Sequence, residues 1–196
     1  MTQVFGDFIE QLEEPEEYLT IAFSPSSLPL KKRWENNGIS ADFIAEYFKN
    51  FFVSRQEQAG EVEDQIAVEN LCNAVKYIAN ELLENAMKFQ DETASFSAKI
   101  IFSLASEKLI FYVENGININ QVASFQTFIQ KMLDEDPEKL YLESMRNNAK
   151  GDTDTPSRLG LLSMICDYSA KLGWKFQPHP NNPLIMTVST TVCLPL

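Results

Sequence analysis

The sequence predicts an α+β fold, a two-layer sandwich in which a mixed or antiparallel sheet carries helices on one face. Two observations point there. Apolar spacing switches between helical and alternating periods in the order helix, hairpin, helical insertion, helix, hairpin. Hydrophobic residues make up 44% of the 196, and aromatics 11%, which is enough to bury a proper core.

Val4 to Leu12 reads as a short amphipathic helix or strand. Tyr18 to Phe23 alternates as a strand, and Pro25, Ser26, Ser27 and Pro29 end it. Ser40 is a candidate cap for a helix on which Ile44, Tyr47, Phe48 and Phe51 recur at i, i+3, i+4, i+7. The cluster Phe43, Phe48, Phe51 and Phe52 exceeds what one helix face hides, which leaves part of it for a second copy or a partner. A long helix is expected from about Val62 to Gln90, with Val68, Val75, Ile78, Leu82, Leu83 and Ala86 on a broad apolar face. Phe96 to Leu104 and Lys108 to Glu114 alternate, and the turn at Ala105, Ser106 and Glu107 joins them as an antiparallel hairpin.

Residues 118–148 read as two helical pieces broken near Asp136 and Pro137, followed by a polar loop, Ala149 to Thr155. Thr155 as N-cap and Pro156 at the first position open a helix expected to reach Leu172. Trp174 to Gln177 and Leu184 to Leu194 close the chain as strands, with Trp174 and Phe176 in the core. Residues 1–60 are expected to be an N-terminal extension, strand plus helix, packed on a domain formed by residues 61–196.

The chain carries 16 basic and 28 acidic residues, a net charge of −12. Such a surface repels phosphate backbones and anionic lipid, so nucleic acid and membrane are excluded as partners. No window approaches the ~18 apolar residues of a membrane span. The stretch Met1 to Tyr18 is acidic and lacks the pattern of a signal peptide. Cys72, Cys166 and Cys193 are odd in number and lie among apolar neighbours, which predicts buried reduced thiols. Together these features predict a cytoplasmic protein.

The chemistry concentrates in Glu81-Leu82-Leu83-Glu84-Asn85-Ala86-Met87-Lys88-Phe89. At ~100° per residue, Glu81, Asn85 and Lys88 fall within about 60° of one another on a helix. An amide oxygen can ligate Mg²⁺, an ammonium can neutralise phosphate, and a carboxylate can accept a proton. Spacing alone leaves open an ordinary solvated helix edge.

This run resembles the N-box of histidine-kinase-like (GHKL) ATPases, an E-x-x-x-N-A-x-K-[FY] pattern. The resemblance implies ATP or ADP with Mg²⁺ as cofactors, Asn85 as the metal ligand, Lys88 on phosphate and Glu81 as general base. Two eroded boxes follow in the family's order. Val113-Glu114-Asn115-Gly116-Ile117-Asn118 stands where the adenine-reading D-x-G-x-G box lies, with Glu114 for the aspartate and Asn118 for the second glycine. Arg158-Leu159-Gly160-Leu161 is similar to the G-L-G-L box, with Arg158 and Pro156 replacing phosphate-approaching glycines. The implied nucleotide-binding set is Lys88, Glu114, Asn115, Gly116, Arg158 and Gly160, with a lid at about 118–157. The likeness covers roughly Ile66 to Leu194.

The single histidine, His179, lies between Pro178 and Pro180 and is expected in an exposed turn, so either a phosphoacceptor lies on another protein or there is none. The acidic, serine-rich composition and the ending Ile165-Cys166-Asp167-Tyr168-Ser169-Ala170-Lys171-Leu172-Gly173-Trp174 resemble the anti-sigma-factor kinases of the SpoIIAB type and the SiaB-like kinases. That likeness implies a small acceptor or regulatory protein as partner and a serine/threonine kinase or partner switch as function. The alternative is a pseudoenzyme used as a protein-binding module, and a homodimer is left open.

Overall fold

The computed structural model describes residues 1–12, 17–23, 30–59, 65–91, 93–94, 96, 98–105, 107–149 and 159–196. Within them lie β1 (Gln3–Gly6), β2 (Glu17–Phe23), α1 (Leu30–Ala59), α2 (Gln65–Phe89), β3 (Ala98–Ala105), β4 (Lys108–Asn118), α3 (Ile119–Asp134), α4 (Pro137–Ala149), α5 (Leu159–Cys166), β5 (Lys171–Pro178) and β6 (Ile185–Pro195). The fold is α+β. Its sheet is antiparallel throughout, in the order β1-β5-β6-β4-β3-β2, which decides between the mixed and antiparallel alternatives. A six-stranded sheet with five helices among the described residues fits the expected two-layer sandwich. The chain divides into two compact units, one formed by Met1–Ser27 with Ala86–Leu196 and the other by Leu28–Asn85.

In the first unit, strand alternation builds the core. The register sets Ile100 against Val113, Phe102 against Phe111 and Leu104 against Leu109, and Phe111 in turn faces Val192. All are buried, each contributing ~1.5–3 kcal/mol for a large side chain. Trp174 and Phe176 point to the same face and are fully buried, as the sequence predicts. Phe176 meets Phe5 of β1 at 5.6 Å and Phe125 of α3 at 5.8 Å, both edge-to-face, so α3 covers this side.

The opposite face has its own cover, which the sequence did not announce. Gly6 turns with φ 62, and the Asp7 N–H donates to the Leu172 carbonyl at 2.9 Å. Residues 8–10 then lie over β5 and β6. The Ile9 N–H donates to Thr191 Oγ1 at 3.3 Å, and Lys175 Nζ sits 2.6 Å from Glu10 Oε2 and 5.8 Å from the Phe8 ring centre. This close approach requires Gly173, since a Cβ there would lie 2.1 Å from Phe8 N. Val4 to Leu12 is thus the last three residues of the strand Gln3–Gly6 followed by a strap.

The break between α3 and α4 falls where expected. Asp136 accepts the Glu138 N–H at 3.0 Å, and Pro137 opens α4 at the position where proline lacks only a redundant donor. The helix expected to reach Leu172 stops at Cys166 instead. Ser169 adopts φ 54 and its N–H bonds the Ile165 carbonyl at 3.1 Å, a left-handed cap. Leu172, which matched the helical period, is a buried strand residue facing Val192.

In the second unit, α1 begins at Leu30, so Ser40 lies inside the helix and is not its cap. Ala41, Ile44, Ala45, Phe48 and Phe52 are buried at helical spacing, whereas Tyr47 and Phe51 are half-buried. Lys76 of α2 pairs with Asp42 of α1 at 2.5 Å, while Lys49 and Glu46 act on Cys72, so the two helices run antiparallel. The three cysteines are free, as expected, but half-buried rather than buried. Burial pushes the Cys72 and Cys166 thiols above the ordinary range.

Candidate functional site

Helix α2 carries the predicted polar row. Val75, Ile78, Ala79, Leu82 and Leu83 are buried, which fixes the rotation of the helix and sets Glu81 and Asn85 at half-buried positions beside that apolar face. Lys88, one turn on, is exposed and lies in the last turn of α2, where the helix dipole favours a cation. Glu84, off the row, accepts from Asn80 Nδ2 at 2.9 Å. Carboxylate, amide and ammonium therefore follow one another along one stripe of a single helix.

Past Phe89, two residues tie the end of α2 to β4. The Gly116 N–H donates to Gln90 Oε1 at 2.9 Å, and the Asp91 N–H donates to the Gly116 carbonyl at 2.7 Å. Gln90 Nε2 donates in turn to the Phe96 carbonyl at 3.2 Å. Gly116 is wedged, because a Cβ would lie 2.9 Å from Ala94 Cβ and 3.1 Å from Phe96. Asp91 accepts from Thr93 N–H and Oγ1 at 2.8 and 2.5 Å and from Asn118 Nδ2 at 3.1 Å. The Thr93 hydroxyl and amide, with Asn118 behind them, hold the Asp91 carboxyl below its ordinary value. Asn118 also caps α3 through its Oδ1 and the Asn120 N–H at 3.0 Å. The residue in the place of a second glycine thus starts the next helix.

Glu114 and Asn115, adjacent in sequence, point to opposite faces of the sheet. Asn115 is buried on the side of Val113 and Val188. Glu114 shares the strap side with Ser189, and the Tyr112 hydroxyl lies 3.3 Å from its Oε2 and 3.0 Å from Ser189 Oγ. Burial and the Glu114 carboxylate push Tyr112 above the ordinary tyrosine range, against the Ser189 hydrogen bond. The two residues therefore do not converge on one pocket wall. Gly160 is buried as the second residue of α5, and Arg158, with Thr155 and Pro156, lies outside the described residues.

The structure adds a polar cluster that sequence reasoning missed. The buried Ser163 hydroxyl donates to Asp167 Oδ2, which also accepts from Tyr141 at 2.9 Å, and this joins α4 to α5. The four-residue spacing of Ser163 and Asp167 was the available signal. His179 lies in the turn between β5 and β6, half-buried rather than exposed, its ring stacked on Phe96 at 5.3 Å. No helix among the described residues is long and apolar enough to cross a membrane.

No family model matches the chain, and no curated protein matches its sequence. Among solved structures, it is similar to a chain in the crystal structure of the SiaB–SiaC complex from Pseudomonas aeruginosa. The TM-score is 0.56 at 17% identity, over 90% of this chain and 89% of that one. At that identity the likeness shows a shared fold.

Proposed function

We propose that this protein is a regulatory, partner-binding protein on a histidine-kinase-like scaffold, with a nucleotide site organised by the polar row of α2. The observation that carries the reading is the half-buried pair Glu81 and Asn85 with Lys88 on one stripe of α2. Likeness across nine tenths of the chain to a member of a two-protein complex supports the partner-binding part.

The donor set fits magnesium nucleotide. Asn85 offers one hard amide oxygen, which suits an ion that takes its other ligands from phosphate and water. Bound Mg·ATP supplies a transferable phosphoryl group. Lys88 offsets phosphate charge, and Glu81 accepts the proton of a partner serine or threonine hydroxyl. Glu114, which stands in for the adenine-reading aspartate, lies on the strap side, and Asn115, of the implied nucleotide-binding set, is buried on the other face of the sheet, where its amide can both donate and accept.

Calorimetric titration with Mg·ADP tests this directly. Saturable binding that Asn85→Asp weakens supports the site, and no binding heat with no rise in Tm removes it. A second reading, a pseudoenzyme acting as a binding module, is favoured by one observation: Glu114 and Asn118 serve Tyr112 and the α3 cap. It expects partner affinity indifferent to nucleotide and to Glu81→Ala.

A further inference from the structure

We infer, resting on the nucleotide reading above, that the Asn115 amide meets the base and that the site takes guanine as readily as adenine. Along β4 the residues turned to the helix-bearing face are Leu109, Phe111, Val113, Asn115 and Ile117, all buried, and Asn115 alone among them is polar. It is 7% exposed, and among the described residues its side chain has no hydrogen-bond partner. Two more groups on that face share this condition. Thr190 of β6 is 8% exposed, with its hydroxyl likewise unbonded among the described residues. The fully buried Trp174 of β5 has an indole N–H with no acceptor. Ser163, Ser189 and Thr191 show the ordinary outcome for a buried hydroxyl, since each is hydrogen-bonded. Buried polar groups left open cost free energy, and they mark a place where something else completes them.

The register gathers the three into one row across neighbouring strands of the first compact unit. Thr190 stands opposite Trp174 on one side and Val113 on the other. Asn115 stands opposite Val188, so Thr190 is its diagonal neighbour, ~7–8 Å away. The other inward positions of β4, β5 and β6 carry no ionisable side chain. A phosphate or carboxylate buried here would lack a counter-charge, whereas a flat, neutral heterocycle with a polar edge suits the surface.

The amide decides which heterocycle. Glu114, whose carboxylate only accepts, faces the strap, and Asn115 offers an acceptor and donors side by side. Adenine presents an amine donor next to a ring-nitrogen acceptor. Guanine presents a carbonyl acceptor next to a ring N–H donor. Each makes a two-point contact with an amide, and a half-turn of the amide about its last torsion exchanges one pattern for the other. No bond among the described residues holds Asn115 to either orientation, so neither base is preferred. Thr190 donates or accepts and follows either pattern. Trp174, a donor only, calls for an acceptor, which both purines carry in their ring nitrogens.

Calorimetric titration of the full chain with Mg·ADP and with Mg·GDP tests the inference. The two dissociation constants are expected to agree within about fivefold. Asn115→Leu, of similar volume, should weaken both by at least about fivefold, the low end for one two-point contact to a base. Should Asn115→Leu lower the melting curve, N6,N6-dimethyl-ADP on the unsubstituted chain gives a second reading. Its methyl groups block the polar edge, and it should bind at least about fivefold more weakly than ADP. Mg·ADP binding with Mg·GDP more than about fivefold apart overturns the inference and leaves the nucleotide site standing. So does an Asn115→Leu chain, or a dimethylated base, that binds with unchanged affinity. Binding of neither nucleotide removes the site and the inference together.

Discussion

Alanine at Gly173 separates the strap from the sheet beneath it. Its Cβ would lie 2.1 Å from Phe8 N, 2.3 Å from Phe8 Cα and 2.4 Å from the Asp7 carbonyl carbon, all backbone atoms with no rotamer to escape into. Carbon contacts settle at ~3.5–4.0 Å, so the strap must lift by more than about 1 Å. Overpacking costs ~1–3 kcal/mol. The Ile9–Thr191 hydrogen bond, worth ~0.5–1.5 kcal/mol, loosens with it, and the partly exposed Glu10–Lys175 pair adds ~0–1. A loss of about 2–4 kcal/mol is expected, and a chain of this size loses ~2–4 °C in Tm per kcal/mol. Urea denaturation followed by circular dichroism, with amide exchange at Val4 and Phe5, measures it. Gly38→Ala is the control: nothing lies within 4 Å of a Cβ in mid-α1, so it should stabilise by ~0.5–1 kcal/mol. Equal stability of Gly173→Ala and the unsubstituted chain would show that residues 7–10 do not lie over β5.

Ser169→Gly should raise stability by ~0.5–1 kcal/mol, because the left-handed cap that ends α5 strains any residue with a Cβ; an unchanged urea midpoint would refute the cap. Asp91 predicts an acid dependence. Its folded pKa is depressed below 3.8, so the folded state binds fewer protons than the unfolded one in that window. The stability it carries is whole above the ordinary carboxylate value and is lost as pH falls through the depressed one. Asp91→Asn should therefore flatten the acid limb of Tm against pH, and an identical limb in both proteins would contradict the Thr93 and Asn118 contacts.

Much of the architecture was legible because it rests on periodicity. The β3–β4 alternation, the α2 apolar face and the Asp136–Pro137 break all express local patterns, and the structure bears each out. Two boundary errors share one cause, since local spacing does not reveal tertiary context. Leu172 completed a helical face yet belongs to β5, because Ser169 turns the chain first. Ser40 has capping chemistry but sits inside α1, which begins earlier. The strap was invisible because its determinants, Gly173, Lys175 and Thr191, lie more than 160 residues from the segment they hold. Of the candidate site, the row on α2 followed from spacing along one helix. Glu114 falls on the opposite face from Val113 by the same alternation, but that its face is the one covered by the strap did not follow, because the strap is held from β5 and β6.

Both borders of the sheet come from the first 23 residues, with β1 on one flank and β2 on the other. During synthesis from the N-terminus, β1 must wait for β5 to emerge before it can pair. Until then, or after proteolytic loss of that segment, β5 and β3 would present bare hydrogen-bonding edges, the geometry that recruits foreign strands into aggregates.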